Sequence, residues 1–205
     1  TYDELQKLGV TMVLGEHYLD QIDPEIQTVY KTPGVRYDVP ALRAAAERGA
    51  IITSEMELFF DLCPCKIIAV TGSDGKTTTT TLIYKILTES GFKCHLGGNI
   101  GHPLLCETDS IDKNDIVVLE LSSFQLHTMK KSADVAVITN ISPNHLDMHK
   151  SYEEYIDAKK NIAIDDNKNQ ATNDHKDSSD NAAVLDSYIS GISLKDIESL
   201  KPVDI

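Results

Sequence analysis

Lys66-Ile67-Ile68-Ala69-Val70-Thr71-Gly72-Ser73-Asp74-Gly75-Lys76-Thr77-Thr78 is the stretch that decides the fold. Ile67 to Val70 is a continuous apolar run of strand length, the pattern of a strand buried in a parallel sheet. It leads straight into a glycine-containing turn. Beyond the turn, Leu82, Ile83, Ile86 and Leu87 predict the apolar face of a helix that Gly91 closes. Small residues between a strand and a helix let backbone N–H groups turn inward around phosphate oxygens. The helix N-terminus then faces the anion, a lysine reaches the terminal phosphates and a hydroxyl serves Mg²⁺. Gly72, Ser73, Asp74, Gly75, Lys76, Thr77 and Thr78 are therefore the candidate nucleotide-binding residues. The general pattern of such a loop has glycine at position 70, where this chain has Val70, so the loop is a shorter variant. The threonine run Thr77 to Thr81 is weak helix-forming material, and beyond Thr78 it carries no chemical assignment.

Working outward, further strands are predicted at Ile116 to Leu121 and Val135 to Thr139, and an amphipathic helix from Tyr152 to Ile164. Repeated strand, loop and helix order predicts an α/β fold with a mostly parallel sheet and helices on its faces. Residues 1–65 read as a shorter α/β alternation: an apolar run Thr11 to Leu14, a strand from Ile26 to Tyr30, a helix from Asp38 and a strand from Ala50 to Thr53. Asp38 is the expected N-cap, Pro40 suits the first turn and Gly49 is placed to end the helix. Thr32-Pro33-Gly34-Val35 is a turn at a strand end, where open α/β sheets meet ligands. Three segments result: 1–65 as a partial Rossmann-like domain, 66–164 as a partial nucleotide-binding domain, and 165–205 as a tail. From Asp165 to Asn181 the tail is almost wholly polar, which predicts disorder, with a short helix around Ser193 to Leu200.

The composition narrows the class of partner. With 19 basic and 32 acidic residues, the net charge of −13 is the wrong sign for a general nucleic-acid binder, so any phosphate chemistry must be local. The tail holds nine acids against four bases. No apolar run approaches the roughly 20 residues of a membrane span. Cys63-Pro64-Cys65 lacks the two-residue spacer of common zinc pairs, and with Cys94 and Cys106 it is read as free thiols in a reducing, cytoplasmic setting.

Two further strings carry chemistry. Ile116-Val117-Val118-Leu119-Glu120 is an apolar strand ending in a carboxylate, which a shared sheet would bring to the phosphate loop to hold Mg²⁺. Asn144-His145-Leu146-Asp147-Met148-His149 has a His-x-Asp-x-His spacing that fits either a second cation site beside the loop or a metal hydrolase built on His145, Asp147 and His149.

Thr71 to Thr77, Gly97-Gly98-Asn99-Ile100-Gly101, Glu120-Leu121-Ser122-Ser123-Phe124-Gln125-Leu126 and Asn144 to Asp147, taken in order, resemble the Mur ligases of peptidoglycan synthesis. The resemblance covers about residues 1–162. It implies that ATP phosphorylates the carboxylate of UDP-N-acetylmuramoyl-L-alanine and that the amine of D-glutamate attacks the acyl phosphate. It assigns Lys76 to the γ-phosphate, Thr77 and Glu120 to one Mg²⁺, and His145 to a second. Lys159 is assigned to the second ion as a carbamate formed with CO₂, since Tyr155 to Lys159 matches the family's helix. Asn99, Ser122 and Gln125, with Thr32, Pro33 and Gly34, are assigned to the UDP-muramoyl substrate, and His149 receives no role. A cytoplasmic monomer that begins inside the first family domain and lacks the third is the expectation. The alternative is a non-catalytic nucleotide-binding fragment.

Overall fold

The structure is a computed structural model that describes residues 2–143 and 149–163. Its first half comprises α1 (Tyr2–Lys7), β1 (Thr28–Lys31), α2 (Pro40–Glu47), β2 (Ile51–Ser54) and α3 (Glu55–Leu62), with a 3₁₀ turn at Tyr18–Gln21. Then follow β3 (Lys66–Thr71), α4 (Lys76–Glu89), β4 (Cys94–Gly98), a 3₁₀ segment at Leu104–Ser110, β5 (Ile116–Glu120), α5 (Ser123–Leu126), β6 (Val135–Ile138) and α6 (Tyr152–Lys160). β1 and β2 form a parallel pair, while the second sheet runs β4-β5-β3-β6, parallel throughout. This is the expected α/β architecture with parallel sheets.

The central strand β3 explains why the deciding stretch had to be apolar. Its residues alternate between two covered faces, and Ala69 and Val70 are fully buried. One face, with Ile67, Ala69, Val117, Leu119 and Leu121, packs on Phe59 of α3, on Leu104 and Ile111, and on Leu126, Met129 and Ile162. α4 covers the other face, against β3, β4 and β5. Its sheet-facing side differs from the expected one. Leu82 is 56% exposed, whereas Thr80 is fully buried. Thr80 Oγ1 donates to Lys76 O at 2.8 Å, an internal bond that lets a buried hydroxyl sit in the helix and so accommodates the threonine run.

Local chemistry moved several boundaries. Asp38 does not cap α2: Val39 holds the N-cap position without a side-chain bond. The Asp38 carboxylate instead takes two bonds from Arg36, at 2.9 and 3.2 Å, and pairs with Lys150, and these cations hold its carboxyl well below the usual range. A bidentate charged pair outcompetes a neutral capping bond. Pro40 does occupy the first turn, and Gly49, at φ +96°, ends the helix as expected. The Thr11–Leu14 run lies outside helix and strand, with Leu14 74% exposed. β1 begins at Thr28 rather than Ile26, and α6 ends at Lys160 rather than Ile164. Helix α3 and strand β4 were not anticipated. Ser54 Oγ accepts from Glu57 N at 3.2 Å, so the Ser-x-x-Glu cap was the readable signal for α3. Two glycines at its end hid β4. Burial, with Cys63 Sγ 3.8 Å away, pushes the Cys65 thiol up to about 12. Residues 165–205, including the stretch 193–200, lie outside the described residues.

Candidate nucleotide and metal site

The loop between β3 and α4 is braced from β6. Ser73 N donates to Asn140 O at 3.0 Å and Asp74 N to Asn140 Oδ1 at 2.9 Å, so two loop N–H groups already have protein partners. Thr139 Oγ1 donates to Asp74 O at 2.6 Å. This close approach requires Gly72, because a Cβ there would stand 1.9 Å from Thr139 Oγ1. The Ser73 hydroxyl is also committed: it donates to Ser142 O at 2.9 Å and lies 2.8 Å from the Tyr155 hydroxyl. The N–H groups of Lys76, Thr77 and Thr78 belong to the first turn of α4 and have no partner within the helix, which makes this helix end the anion-facing part of the loop. Gly75, at φ +75°, gives the chain the left-handed turn that opens it.

Glu120 is 2% exposed and ends β5 beside the loop. Its Oε2 accepts from Thr77 Oγ1 at 2.7 Å and its Oε1 from Asn99 Nδ2 at 3.0 Å. A carboxylate and a hydroxyl this close offer the hard oxygen donors that Mg²⁺ takes, so these two residues fit the ion. Gly98 is what lets β4 approach them, since a Cβ there would stand 2.2 Å from Glu120 O at a φ of +92°. We expect Gly98→Ala to destabilise the chain by about 1–2 kcal/mol from the left-handed backbone and about 1–3 kcal/mol from overpacking. Urea unfolding measures it, and a change within ±0.5 kcal/mol would show that the Glu120 contact does not constrain the strand.

Lys159, on α6, is 2% exposed. Its Nζ donates to Gly72 O at 2.8 Å and lies 3.4 Å from Thr71 Oγ1 and 4.6 Å from the Tyr155 ring centroid. Burial, with the like charge of Lys76 nearby, lowers its pKa to about 8. Lys76 Nζ donates to Gly72 O at 3.0 Å and Ser73 O at 2.9 Å, so two amines share one carbonyl.

A cleft of about 440 Å³ joins these groups: Lys76 and Lys159 line it together with Gly72, Asn99, Ser122 and Gln125. Pro33 lines it from the first half of the chain, whereas Thr32 and Gly34 flank that residue without lining the cleft. Ser122 and Gln125 hold each other in a capping box that starts α5. The site thus gathers the loop, Glu120, Asn99 and Lys159 in one place. His145 and Asp147 lie outside the described residues. His149 is 4% exposed, with Nε2 2.9 Å from Ser123 Oγ. Sequence reasoning missed Asn140 and Tyr155 as the groups that fix the loop; a Thr-Asn pair directly after a strand was the only local sign.

Comparison with known proteins adds a family to this geometry. The Mur ligase middle domain matches residues 70–187. UDP-N-acetylmuramoylalanine--D-glutamate ligase of Acetivibrio thermocellus is 60% identical over 162 residues, 79% of this chain and 34% of that protein. The proteins of the same name from Ruminiclostridium cellulolyticum and Clostridium kluyveri are 60% and 59% identical, over 81% and 78% of this chain and 36% and 34% of theirs. This chain spans about a third of the length of these relatives. Among solved structures, UDP-N-acetylmuramate-alanine ligase MurC of Thermotoga maritima is 28% identical, covers 78% of this chain and 38% of its own, and superposes with a TM-score of 0.42.

Proposed function

Because the chain belongs to the Mur ligase family, we propose that it serves ATP-dependent addition of D-glutamate to UDP-N-acetylmuramoyl-L-alanine. The observation that carries the reading is the hydrogen-bonded line Thr77–Glu120–Asn99, whose Asn99 lines one cleft with Lys76 and Lys159. Phosphoryl transfer needs positioned positive charge and oxygen ligands for a divalent cation, and this cleft offers both. The 60% identity to proteins named for D-glutamate addition supports the choice of amino acid.

In this reading the γ-phosphoryl passes to the substrate carboxylate, and the amine of D-glutamate then displaces phosphate from the acyl phosphate. Lys76 leaves the carbonyls of Gly72 and Ser73 for the γ-phosphate, and the first-turn N–H groups of α4 orient its oxygens. Thr77 and Glu120 hold one Mg²⁺. Lys159, as a carbamate formed from its neutral amine and CO₂ with release of a proton, holds a second together with His145. Mg²⁺ supplies neutralisation of charge on the transferring group. Asn99, Ser122 and Gln125 face the UDP-muramoyl substrate, and Thr32, Pro33 and Gly34 meet it from residues 1–65, a partial substrate-binding domain; residues 66–164 are part of the ATP-binding domain. We read the protein as a cytoplasmic monomer; among the described residues no helix is long and apolar enough to cross a membrane.

Calorimetry on the 205-residue chain tests the proposal. Mg–ATP and UDP-N-acetylmuramoyl-L-alanine are each expected to bind saturably with one-to-one stoichiometry. Nucleotide binding without any affinity for the UDP-muramoyl compound would favour a non-catalytic nucleotide binder, and no nucleotide binding at all would sink the reading.

A further inference from the structure

Away from the phosphate loop, three side chains converge from separate parts of the chain: His127 directly after α5, His149 shortly before α6, and Glu154 in the first turn of α6. One ligand atom of each lies within 4.8 Å of the others. His127 Nε2 stands 3.3 Å from Glu154 Oε1, and His149 Nδ1 stands 3.8 Å from Glu154 Oε2. Ligands around tetrahedral Zn²⁺ at 2.0–2.1 Å stand about 3.3 Å apart, so the cluster is close to a coordination sphere before any ion arrives.

The chemistry of His149 makes the case specific. Its side chain is 1% exposed, and Nδ1 is buried with no hydrogen-bond partner among the described residues. An orphaned buried imidazole nitrogen is costly unless something takes its lone pair. Nε2 lies 2.9 Å from Ser123 Oγ, and a hydrogen on Nε2 leaves the Nδ1 lone pair directed into the cluster, the outer bond that metal-binding histidines commonly make. The Phe124 ring stacks on His149 at 5.3 Å and the Tyr37 ring meets His127 edge-on at 4.8 Å, which fixes both imidazole planes. Burial is the main cause that lowers both histidine pKa values, against the raising effect of Glu154.

We infer that His127, His149 and Glu154 bind one divalent transition-metal ion of the Zn²⁺ class, at a site separate from the oxygen ligands Thr77 and Glu120. Two imidazoles and a carboxylate favour such ions over Mg²⁺. The two histidines also line a small cavity together with Arg36 and Tyr37. Arg36 is the competing charge, with Nη2 3.2 Å from Glu154 Oε1. It donates to both Asp38 oxygens as well, so it keeps a bidentate partner when Glu154 turns to the ion. Lys31, offset by Glu57, bears on His127, and Lys159 bears on His149. Lys150 N holds Glu154 Oε2 as an outer partner. A bound ion ties the end of α5 to α6, the helix that carries Lys159. The inference is independent of the ligase reading.

The test uses the full 205-residue chain carrying Cys63→Ser and Cys65→Ser, which removes the adjacent pair of thiols as a rival metal site. Titration with Zn²⁺ against a chromophoric chelator is expected to give one equivalent bound, unaffected by excess Mg²⁺. Co²⁺ in its place is expected to give a visible spectrum without thiolate charge-transfer bands. His149→Gln should weaken Zn²⁺ binding by more than the roughly 10–100-fold that loss of an outer partner costs. His127→Gln, at a more exposed position, should do the same and serves if His149→Gln does not fold; metal-free circular dichroism and melting check each variant. Absence of binding, or binding that survives both histidine substitutions, overturns the proposal.

Discussion

Lys76→Ala is expected to lower the affinity of the chain for Mg–ATP by roughly 10–100-fold, the equivalent of the ~1.5–3 kcal/mol that a hydrogen bond to a charged group contributes. The substitution removes the one loop side chain that can follow the terminal phosphates. It leaves the fold little to lose, because both Lys76 Nζ bonds go to backbone carbonyls and one of these, Gly72 O, keeps its bond from Lys159 Nζ at 2.8 Å. Alanine is also a strong helix former for the first position of α4. Thermal melting should therefore stay near that of the unsubstituted chain while calorimetric affinity falls. Equal affinities for the two proteins would mean that the lysine never leaves its carbonyls, and the loop would have to be reassigned as a turn. Lys76→Arg should recover part of the loss through its charge, but not the point contact of an ammonium.

Why the loop could be read and its bracing could not follows from the range of the interactions. β3, its turn and α4 are one continuous stretch, so period and turn chemistry carry the information locally. Glu120 was legible for a similar reason: a carboxylate ending an apolar strand in a parallel sheet must stand at the ligand edge. Asn140 and Tyr155 act across 66 and 82 residues of chain, and beyond the Thr139-Asn140 pair after a strand nothing in their own neighbourhoods marks them. Lys159 was marked only through the likeness of Tyr155 to Lys159 to the family's helix, and its burial depends on α6 lying against the loop. Asp38 illustrates the converse failure, a local rule displaced by a charged neighbour two residues away. Helix α3, by contrast, is locally encoded, since Ser54 and Glu57 carry its capping signature.

These long-range contacts also give α6 a mechanical part in the site. Tyr155 reaches Ser73 through its hydroxyl, and its ring stands under the Lys159 amine, so one helical turn both holds the loop and sets the buried lysine. A change on α6 therefore reaches the phosphate loop through Tyr155 and Lys159.

Lys159→Met is expected to raise thermal stability at pH 7 in CO₂-free buffer and to abolish carbamate formation, two effects with one cause. Burial lowers the amine's pKa from 10.5 to about 8, so near neutral pH far more of it is neutral than for a free lysine. Only the neutral amine adds CO₂, and the resulting carbamate is an anion beside Lys76, which replaces a repulsion with an attraction. ¹³C NMR in labelled bicarbonate should then give a carbamate resonance that Lys159→Met removes. The stability arm follows from the same shift. Below pH 8 the native state carries a desolvated ammonium, and methionine relieves that cost while Gly72 O keeps its bond from Lys76 Nζ and the Thr71 hydroxyl still donates to Leu121 O. Between pH 8 and 10.5 the unfolded chain holds more protons than the native one, so unsubstituted protein gains stability as pH rises and the advantage of Lys159→Met shrinks across that window. Each kcal/mol relieved moves the melting temperature of a chain this size by about 2–4 °C, a difference a pH series can resolve. A carbamate signal that survives the substitution, or a melting difference that is flat from pH 7 to 10.5, would mean that the Lys159 amine is not the buried, CO₂-reactive group that its place against Gly72 requires.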